Sequence, residues 1–308
     1  MGLAILFPGQ GSQYPAMADP WLEHEAGRSV LDVASEVLGR DIVDACRDEA
    51  LLATTAFVQP ALLACDVAAF RVLAAEGVEP AAAAGHSLGE FAALVAAGAM
   101  DLPEALEAVR VRGAAMQDAS ERFPGTMVAL IGLTEEQADQ VCRASRGDDV
   151  LAVANENAAN QFVLSGSEPA VARAESEARR LGGRAIRLNV AGAFHSPLME
   201  PALQAIRAVL ERTTIRPPVF PVVANVTAGP EQDPNTIREL LGRHVIRPVR
   251  WHASMRTLAG MGVGALVEAG PGQVLSRLAR RSFPGITVAT VGSAAEAAAA
   301  RGEAEPRS

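Results

Sequence analysis

Positions 81 to 100 read AAAAGHSLGEFAALVAAGAM, a run of small and apolar residues that carries a serine between two glycines. We interpret 81–85 as a buried strand, although alanine favours helices, because it leads directly into the pattern Gly-His-Ser-Leu-Gly. A strand that ends in such a turn and continues as a helix, here from Leu88, presents a nucleophilic hydroxyl at Ser87. An ordinary strand-to-helix turn has the same local pattern, so this segment alone leaves both interpretations open.

Short apolar segments alternate with longer helical patterns on either side of this turn. Strands are predicted at 3–7, 81–85, 221–225, 265–270 and 286–291, and helices at 29–39, at 58–77, from Leu88 and at 102–120. Glycines that end helical patterns and Pro103 at the start of the last one support these bounds. Alternation of this kind predicts an α/β domain built on a parallel sheet.

The pattern changes between residues 125 and 191. Segments there read as strand, helix, strand, strand, helix and strand, with a helix start predicted at Thr134. This order is that of a ferredoxin-like unit. We therefore expect a large domain formed by 1–124 and 192–292 and a small subdomain inserted at 125–191. The segment 293–308 is small, charged and low in complexity, and we expect it to be disordered.

Charge and cysteine content narrow the function class. A formal net charge of −9 and a pI near 5.2 argue against a nucleic-acid binder, which usually presents a basic face. Cys46, Cys65 and Cys142 follow no metal-ligand spacing, and we expect them to be buried thiols in a reducing compartment. No basic segment precedes the first apolar run, and we find no apolar stretch of membrane-spanning length, so we expect a cytoplasmic protein.

A serine becomes a good nucleophile when a base takes its proton, and histidine is the usual base near neutral pH. Of the five histidines, His86 adjoins Ser87 on a tight turn where adjacent side chains point apart, so we expect it to support the turn. His195 lies in NVAGAFHSPLME, where the chain re-enters the large domain, and loops at such crossings often line a cleft. We take His195 as the candidate base; a plain helix-starting role is the alternative.

Acyl transfer also requires N–H donors for the oxyanion. One normally belongs to the residue after the nucleophile, here Leu88, and Gln10 in the loop FPGQGSQ is suited to supply the other. The glycines of that loop resemble a phosphate cradle, but the lysine of a phosphate-binding loop is missing. On the helix at 102–120, Arg112 is suited to two-pronged binding of a carboxylate, although a structural ion pair fits its spacing equally well.

Together these motifs resemble the malonyl-CoA:acyl carrier protein transacylases and the related acyltransferase domains of polyketide synthases. The shared motifs run in family order from residue 7 to about 280, nearly the whole chain. They are FPGQGSQ at 7–13, QPA at 59–61, GHSLGE at 85–90, Arg112-Gly113 with Met116-Gln117, residues 155–161, GAFHS at 192–196, PVRW at 248–251 and GPG at 270–272.

The resemblance implies an α/β-hydrolase-like parallel sheet core with the ferredoxin-like insertion. It implies that Ser87 takes malonyl from malonyl-CoA, with His195 as base, and passes it to the phosphopantetheine thiol of an acyl carrier protein. No metal and no bound cofactor are implied. A backbone carbonyl orients the base in this family, at a position that is commonly Gln. Here that position is His244, so the orienting contact departs from the family pattern.

The resemblance also assigns the substrate pocket. Arg112 matches the family's carboxylate-binding arginine, which favours a carboxylated acyl group over acetyl. Phe194 matches the malonyl form of the selectivity motif, in which the ring fills the space that a 2-methyl branch needs. Gln59, Met116 and Asn155 complete the expected substrate-binding set.

An acyl carrier protein is expected to be acidic, so docking on this acidic chain requires a local basic patch. The candidates are Arg179, Arg180, Arg184, Arg187, Arg247, Arg250, Arg256 and RLARR at 277–281. We expect a free-standing, monomeric enzyme without nucleic-acid or membrane partners that supplies extender units to fatty acid or polyketide synthesis.

Three alternatives share part of this pattern. A serine esterase would use an acid and then a histidine after the serine, for which Asp233 and His252 are conceivable, but its His-Gly-Gly type loop is missing. An editing hydrolase of acyl thioesters on the same scaffold differs only in using water instead of the thiol. A non-catalytic docking subunit would have no need to keep a nucleophile, a base, an oxyanion donor and an arginine together.

Overall fold

The computed structural model describes residues 2–297, which form two sheets and the helices around them. In chain order the elements are β1 (Gly2–Phe7), α1 (Glu25–Leu38), α2 (Ile42–Ala45), α3 (Glu49–Leu52), α4 (Thr55–Ala75), β2 (Ala82–Gly85), α5 (Gly89–Ala96), α6 (Leu102–Arg122), β3 (Thr126–Ile131), α7 (Glu135–Arg146), β4 (Leu151–Ala158), β5 (Gln161–Gly166), α8 (Glu168–Arg180), β6 (Arg184–Arg187), α9 (Leu203–Arg212), β7 (Val222–Val223), β8 (Pro230–Glu231), α10 (Pro234–Arg243), α11 (Trp251–Gly260), β9 (Val263–Ala269), α12 (Val274–Ser282) and β10 (Thr287–Val291). Short 3-10 helices span Asp19–Trp21, Pro197–Ala202 and His244–Ile246.

The larger sheet has the strand order β10-β9-β1-β2-β7-β8. Every neighbouring pair is parallel except β7 and β8 at one edge. The alanines of β2 form a strand against their helix propensity because β2 is fully buried and pairs with a strand on each side. The predicted parallel α/β core is confirmed.

A close approach between strand and helix explains the two glycines of the serine turn. A Cβ at Gly85 would lie 1.9 Å from the backbone of Gly89, and a Cβ at Gly89 would lie 2.2 Å from the carbonyl oxygen of Phe7. Only glycine fits at these positions. Helix α5 therefore begins directly at the carboxyl ends of β1 and β2, the edge where parallel α/β sheets hold their sites.

The smaller sheet lies within the predicted insertion and has the order β4-β5-β3-β6, antiparallel throughout. Helices α7 and α8 pack on it around a core that includes Val128, Leu130 and Leu164. Helix α7 begins with a capping box between Thr134 and Gln137, at the predicted helix start. The element order and the pairing are those of a ferredoxin-like unit, as predicted.

Helix α4 contradicts the expectation that the chain has no apolar stretch of membrane-spanning length. By length and composition alone, Thr55–Ala75 is long and apolar enough to cross a bilayer. However, 83% of the apolar stretch is buried inside the fold, chiefly against α6 and α1. The helix is apolar on all sides because other elements surround it, and it belongs to the core.

The cysteines agree with the prediction made for them, whereas the first residues of the C-terminal segment do not. Cys46, Cys65 and Cys142 are buried free thiols, as expected. The disorder predicted from residue 293 begins too early, because 294–297 are helical and Ala297 is fully buried. The helical turn at 294–297 is stabilised by the Gly292 N–H, which donates to Glu296 Oε2 at 2.8 Å. Residues 298–308 of the predicted tail lie outside the described residues.

Candidate active site

Ser87 lies in the turn between β2 and α5 with a backbone φ of +52°, in the left-handed region that residues other than glycine rarely adopt. Its Oγ is 2.8 Å from His195 Nε2 and 3.1 Å from Arg112 Nη2. These three side chains come from segments that are distant in the sequence. The structure thus brings together the predicted nucleophile, the predicted base and the predicted carboxylate-binding arginine.

Backbone carbonyls orient the His195 imidazole. Its Nδ1 lies 3.1 Å from the carbonyl oxygen of His244 and 3.0 Å from that of Arg247. Because both partners are acceptors, Nδ1 carries the proton and donates, which leaves Nε2 free to accept from Ser87 Oγ. His244 therefore lies where the resemblance implies, and Arg247 supplies a second acceptor that the sequence did not reveal.

The same surroundings fix the protonation state of His195. Burial, together with the nearby charge of Arg112, lowers the pKa of His195 to about 3, although the two carbonyls act in the opposite direction. The imidazole is only 4% exposed and is neutral throughout the neutral pH range. A neutral imidazole with a free Nε2 is the state that a general base requires.

Arg112 is a buried cation on α6, with 2% of its surface exposed. It donates hydrogen bonds to Gln59 Oε1 and to Ser87 Oγ. Within residues 2–297 no ion pair to Arg112 is found, so the alternative of a structural salt bridge is not observed. Burial lowers the pKa of Arg112 to about 10, and it stays charged at neutral pH. A carboxylate on a small ligand would complete its hydrogen bonding.

Gln59 and Met116 hold this arginine in place. The Gln59 side-chain oxygen accepts from Arg112, and its Nε2 lies 3.4 Å from Met116 Sδ. Gln59 is 1% exposed and Met116 is 2% exposed. The amide is therefore fixed at both ends, and it aims the guanidinium toward Ser87.

A cavity of about 270 Å³ opens beside the serine and the histidine. All predicted site residues except His244 line it; they are Gln10, Gln59, Ser87, Leu88, Arg112, Met116, Asn155, Phe194 and His195. The insertion adds apolar wall from Met127 and Val163, and α12 adds Val274 and Leu278. Both sheets of the molecule therefore contribute to one small pocket.

The predicted oxyanion donors, Gln10 and Leu88, both lie at the serine turn and line its cavity. The loop of Gln10 packs on the serine turn so closely that a Cβ at Gly9 would lie 2.4 Å from the carbonyl oxygen of His86. Leu88 is the N-cap of α5. Within residues 2–297 no hydrogen-bond partner of its N–H is found, whereas the N–H groups of Gly89 and Glu90 donate to the carbonyl oxygens of His86 and Ser87. Both residues line the cavity, and the role of their N–H groups as oxyanion donors stays a prediction.

His86 supports the turn, as expected, and does not contact the reacting groups. Its Nε2 lies 3.0 Å from Asn157 Oδ1 and 3.2 Å from Asn155 Nδ2, and its ring packs on Trp251. Asn155, an expected substrate-binding residue, also forms a parallel bridge with Val249. It therefore joins β4 of the insertion to the serine turn.

Two buried polar residues beside the serine were not predicted to act there. Glu90 belongs to the motif GHSLGE, but no role was predicted for it; burial raises the pKa of its carboxyl to about 8. Asn225 accepts a hydrogen bond from the Ser87 N–H at 2.7 Å. No local pattern could have identified Asn225, because the contact joins residues 138 positions apart through strand pairing.

The partners conceivable for a serine esterase lie elsewhere. Asp233 caps α10 by accepting from the Thr236 N–H at 2.8 Å. His252 stacks on Phe283. Neither residue lines the cavity at Ser87, so they do not form an esterase triad with it.

The chain is similar to known proteins along nearly all of its length. The family model described as acyl transferase domain matches residues 5–299. The malonyl CoA-acyl carrier protein transacylase of Bacillus subtilis (strain 168) is 37% identical over 284 residues, covering 91% of this chain and 90% of that protein. The protein of the same name from Escherichia coli (strain K12) is 36% identical over 302 residues, covering 96% and 98%.

The chain is also similar to solved structures of malonyl transacylases. A malonyl-transacylase determined in complex with its type II PKS acyl-carrier protein has a TM-score of 0.95 and 37% identity, covering 98% of this chain and 100% of that one. The malonyl CoA-acyl carrier protein transacylase from Coxiella burnetii has a TM-score of 0.94 and 34% identity, covering 98% and 97%.

Proposed function

This chain belongs to the acyl transferase domain family, and on that premise we propose that it moves malonyl from malonyl-CoA to the phosphopantetheine thiol of an acyl carrier protein. The observation that carries the proposal is the buried Arg112 guanidinium, 3.1 Å from Ser87 Oγ. A malonyl group has its carboxylate one methylene away from the reacting carbonyl. It therefore fits a site in which the nucleophile and a buried cation are neighbours.

In the first step Ser87 Oγ attacks the thioester carbonyl while His195 Nε2 takes the hydroxyl proton. The carbonyl oxygen becomes an oxyanion, which the N–H groups of Leu88 and Gln10 stabilise. Collapse of this intermediate breaks the carbon–sulfur bond. His195 returns its proton to the leaving thiolate of coenzyme A, and malonyl remains on Ser87 as an ester.

The second step repeats this chemistry in reverse with a different thiol. His195 Nε2 takes the proton of the phosphopantetheine thiol, and the thiolate attacks the ester carbonyl. The same N–H groups stabilise the oxyanion. The carbon–oxygen bond to Ser87 then breaks, His195 protonates the serine oxygen, and malonyl leaves as a thioester of the carrier protein.

The malonyl carboxylate has a second effect on the base. The charge of Arg112 contributes to the low pKa of His195. A bound carboxylate offsets that charge and makes His195 a stronger base. The two carbonyls at His244 and Arg247 stabilise the imidazolium that forms through its Nδ1–H. Substrate recognition and base strength are thus linked through one guanidinium.

Selectivity against bulkier extender units is assigned to Phe194. The ring is 6% exposed and lines the pocket that holds the acyl group. A methyl branch on the acyl chain would compete with it for space in a cavity of about 270 Å³. We expect a preference for malonyl over 2-methylmalonyl that is marked but not absolute.

We assign carrier-protein docking to the face of α12. Val274 and Leu278 of this helix line the cavity, and Val274 is 46% exposed. Arg277 and Arg281 on the same helix form no ion pair within residues 2–297, whereas Arg187 of the insertion is paired with two glutamates. Rising salt should slow transfer to a carrier protein more than transfer to free pantetheine; equal slowing would contradict docking through this basic face.

The cellular setting of the enzyme is also part of the proposal. We propose a soluble, cytoplasmic protein, because the one helix in residues 2–297 that is both long and apolar enough to span a membrane is a core helix and the cysteines are free thiols. We also propose that it is a monomer. The reaction uses side chains and backbone groups alone, so no bound metal or cofactor is proposed.

Intact-protein mass spectrometry tests this function. The protein is mixed with malonyl-CoA and a holo acyl carrier protein, and both proteins are weighed over time. We expect malonyl first on this protein and then on the carrier, with no transfer by Ser87→Ala. Release of free malonate without loading of the carrier would indicate a hydrolase and would contradict the proposal.

A further inference from the structure

Strand pairing places Asn225 beside the serine turn. Strand β7 pairs in parallel with β2, with Val222 opposite Ala83 and Val223 opposite Ala84. The same register, continued past the ends of both strands, brings position 225 opposite the turn that carries Ser87. Asn225 is 1% exposed, so its amide must find partners within the protein.

The Asn225 side chain binds the turn on both sides of His86. Its Oδ1 accepts from the Ser87 N–H at 2.7 Å, and its Nδ2 donates to the Gly85 carbonyl oxygen at 2.6 Å. One planar amide therefore fixes the peptide groups before and after residue 86. An amide is the side chain that offers an acceptor and a donor in this arrangement.

The Asn225 backbone is held as well. Its N–H donates to Glu90 Oε2 at 3.1 Å, and its carbonyl oxygen accepts from the Arg250 N–H at 3.1 Å. Glu90 is on α5, one turn beyond the serine, so the strand, the turn and the helix are tied together through one residue. Asn225 cannot shift without breaking several buried hydrogen bonds.

We propose that Asn225 is a positioning residue for acyl transfer, whose side-chain amide holds the strained turn so that Ser87 Oγ faces His195 Nε2. The proposal rests on the function proposed above. Ser87 has a φ of +52°, a conformation that persists only where surrounding contacts determine it. Release of the two hydrogen bonds would let the peptide rotate and would move Oγ away from its 2.8 Å contact with the imidazole.

Single-turnover acylation by malonyl-CoA, followed by rapid quench and mass spectrometry, tests the proposal. Asn225→Ala is expected to lower the acylation rate constant about 10²-fold, as a misplaced reacting group does, with little change in the KM for malonyl-CoA. The matched control is Val223→Ala on the same strand, which removes buried apolar volume but touches no polar atom of the turn. The control should lose stability and keep its acylation rate.

Asn225→Asp separates positioning from folding through its pH profile. An ionised carboxylate accepts from the Ser87 N–H but repels the Gly85 carbonyl oxygen, whereas a protonated one can donate to it and mimic the amide. Of the charged and titratable groups near this position, Glu90 on α5 accepts from the Asn225 N–H, and Arg250 contacts Asn225 through its backbone N–H only. Glu90 in turn is influenced by Arg112 and Glu231 and lies 4.0 Å from His244 Nε2. Because Glu90 titrates in the parent protein too, the informative quantity is the ratio of variant to parent rate. That ratio should rise as pH falls from 8.5 to 5.5.

The outcomes distinguish this proposal from the proposed function. If the parent protein is not acylated by malonyl-CoA, the proposed function fails. If the parent is acylated and Asn225→Ala is acylated at the same rate, only the positioning role fails. If Asn225→Ala does not fold, the Asn225→Asp ratio decides: a ratio independent of pH overturns the proposal, and a rising one supports it.

Discussion

The large sheet with its helices and the inserted sheet use charge in opposite ways. Beside Ser87 the side chains of Arg112 and His195 are 2% and 4% exposed, and within residues 2–297 neither forms an ion pair. On the insertion most arginines are on the surface and paired with a carboxylate, as in the contacts of Arg187 with Glu168 and Glu175. The first arrangement shifts pKa values strongly; the second contributes little beyond solubility.

This difference indicates where the chemistry is. A buried guanidinium without a carboxylate costs stability, and a fold keeps it where a ligand supplies the missing charge. The insertion contributes apolar wall and the Asn155 contact with His86, but no proton-transfer group. We therefore assign the reacting groups to the large region and the closure of the pocket to the insertion.

Among the variants that test this difference, the one without the base should show the largest loss of acylation rate. His195→Ala is expected to lower the rate of serine acylation by about 10²–10⁴-fold, because the other side chain found at Ser87 Oγ within residues 2–297, that of Arg112, is a donor. The measurement is single-turnover acylation by malonyl-CoA. The matched control, His252→Ala, removes a histidine outside the cavity and should acylate at the parent rate. An unimpaired His195→Ala would contradict the assignment of the base.

Loss of the buried cation should have the second largest effect on malonyl transfer. A malonyl carboxylate deprived of Arg112 costs about 3–5 kcal/mol, so Arg112→Ala should lose malonyl transfer by roughly 10²–10⁴-fold while gaining relative activity on acetyl-CoA. The control is Arg110→Ala on the same helix, whose side chain is exposed and paired with Glu107. Competition between the two thioesters gives the ratio directly. Equal loss on both would refute carboxylate binding by Arg112.

The pH dependence of Ser87 reactivity tests the environment of the base. With the pKa of His195 near 3, the neutral form persists to low pH, and reactivity is lost only as pH falls toward that value. A histidine of ordinary pKa would be mostly protonated at pH 5 and about 30-fold less effective. We expect a neutral sulfonyl fluoride to inactivate the folded enzyme at nearly the same rate at pH 5 and pH 7.

The same experiment on Arg112→Ala tests whether the arginine helps to lower the pKa of His195. Removal of the nearby positive charge removes one cause of the low pKa of His195, so the acid limb should move upward. Circular dichroism at each pH verifies that the protein is folded. If the parent enzyme loses Ser87 reactivity with an apparent pKa near 6.5, the imidazole is exposed to solvent, which contradicts its burial in the structure.

A smaller effect is expected at Phe194. Parent enzyme should prefer malonyl-CoA to 2-methylmalonyl-CoA by about 10- to 200-fold, the range for one methyl group in a pocket, and Phe194→Ala should narrow this ratio. Phe123→Ala, which changes an exposed ring, serves as control and should keep the preference. If the parent loads both thioesters equally fast, Phe194 does not set the selectivity.

The smallest effect should come from the insertion. Arg187→Ala removes two surface ion pairs and is expected to change the free energy of unfolding by at most about 1 kcal/mol, with acylation unchanged. Denaturant unfolding and the acylation assay measure the two quantities. A tenfold loss of acylation in this variant would show that the paired surface of the insertion takes part in the reaction.

Most of the fold could be predicted from local patterns in the sequence. The serine turn, the alternation around it and the order of elements in the insertion depend on neighbouring residues, and the structure confirms them. The apolar length of α4 was missed in the sequence, and the burial that makes it a core helix depends on packing that the sequence does not show. The tail was misjudged at 294–297 because the burial of Ala297 depends on packing that composition does not describe.

The candidate site was predictable where side chains belong to a motif. Ser87, His195 and Arg112 lie in recognisable patterns, and the structure brings them together. Asn225 lies beside them without such a pattern, because its position follows from the pairing of β7 with β2. The carbonyl oxygen of Arg247 was also beyond prediction, since any residue type supplies one and only the fold directs it to His195.

The proposed transfer requires a malonyl group held on the Ser87 oxygen. Rapid quench of the enzyme with malonyl-CoA, followed by proteolysis and peptide mass spectrometry, detects this ester. We predict malonyl on the peptide containing residue 87, formed and consumed at least as fast as the carrier protein is loaded. Loading of the carrier by Ser87→Ala at an undiminished rate would contradict the account.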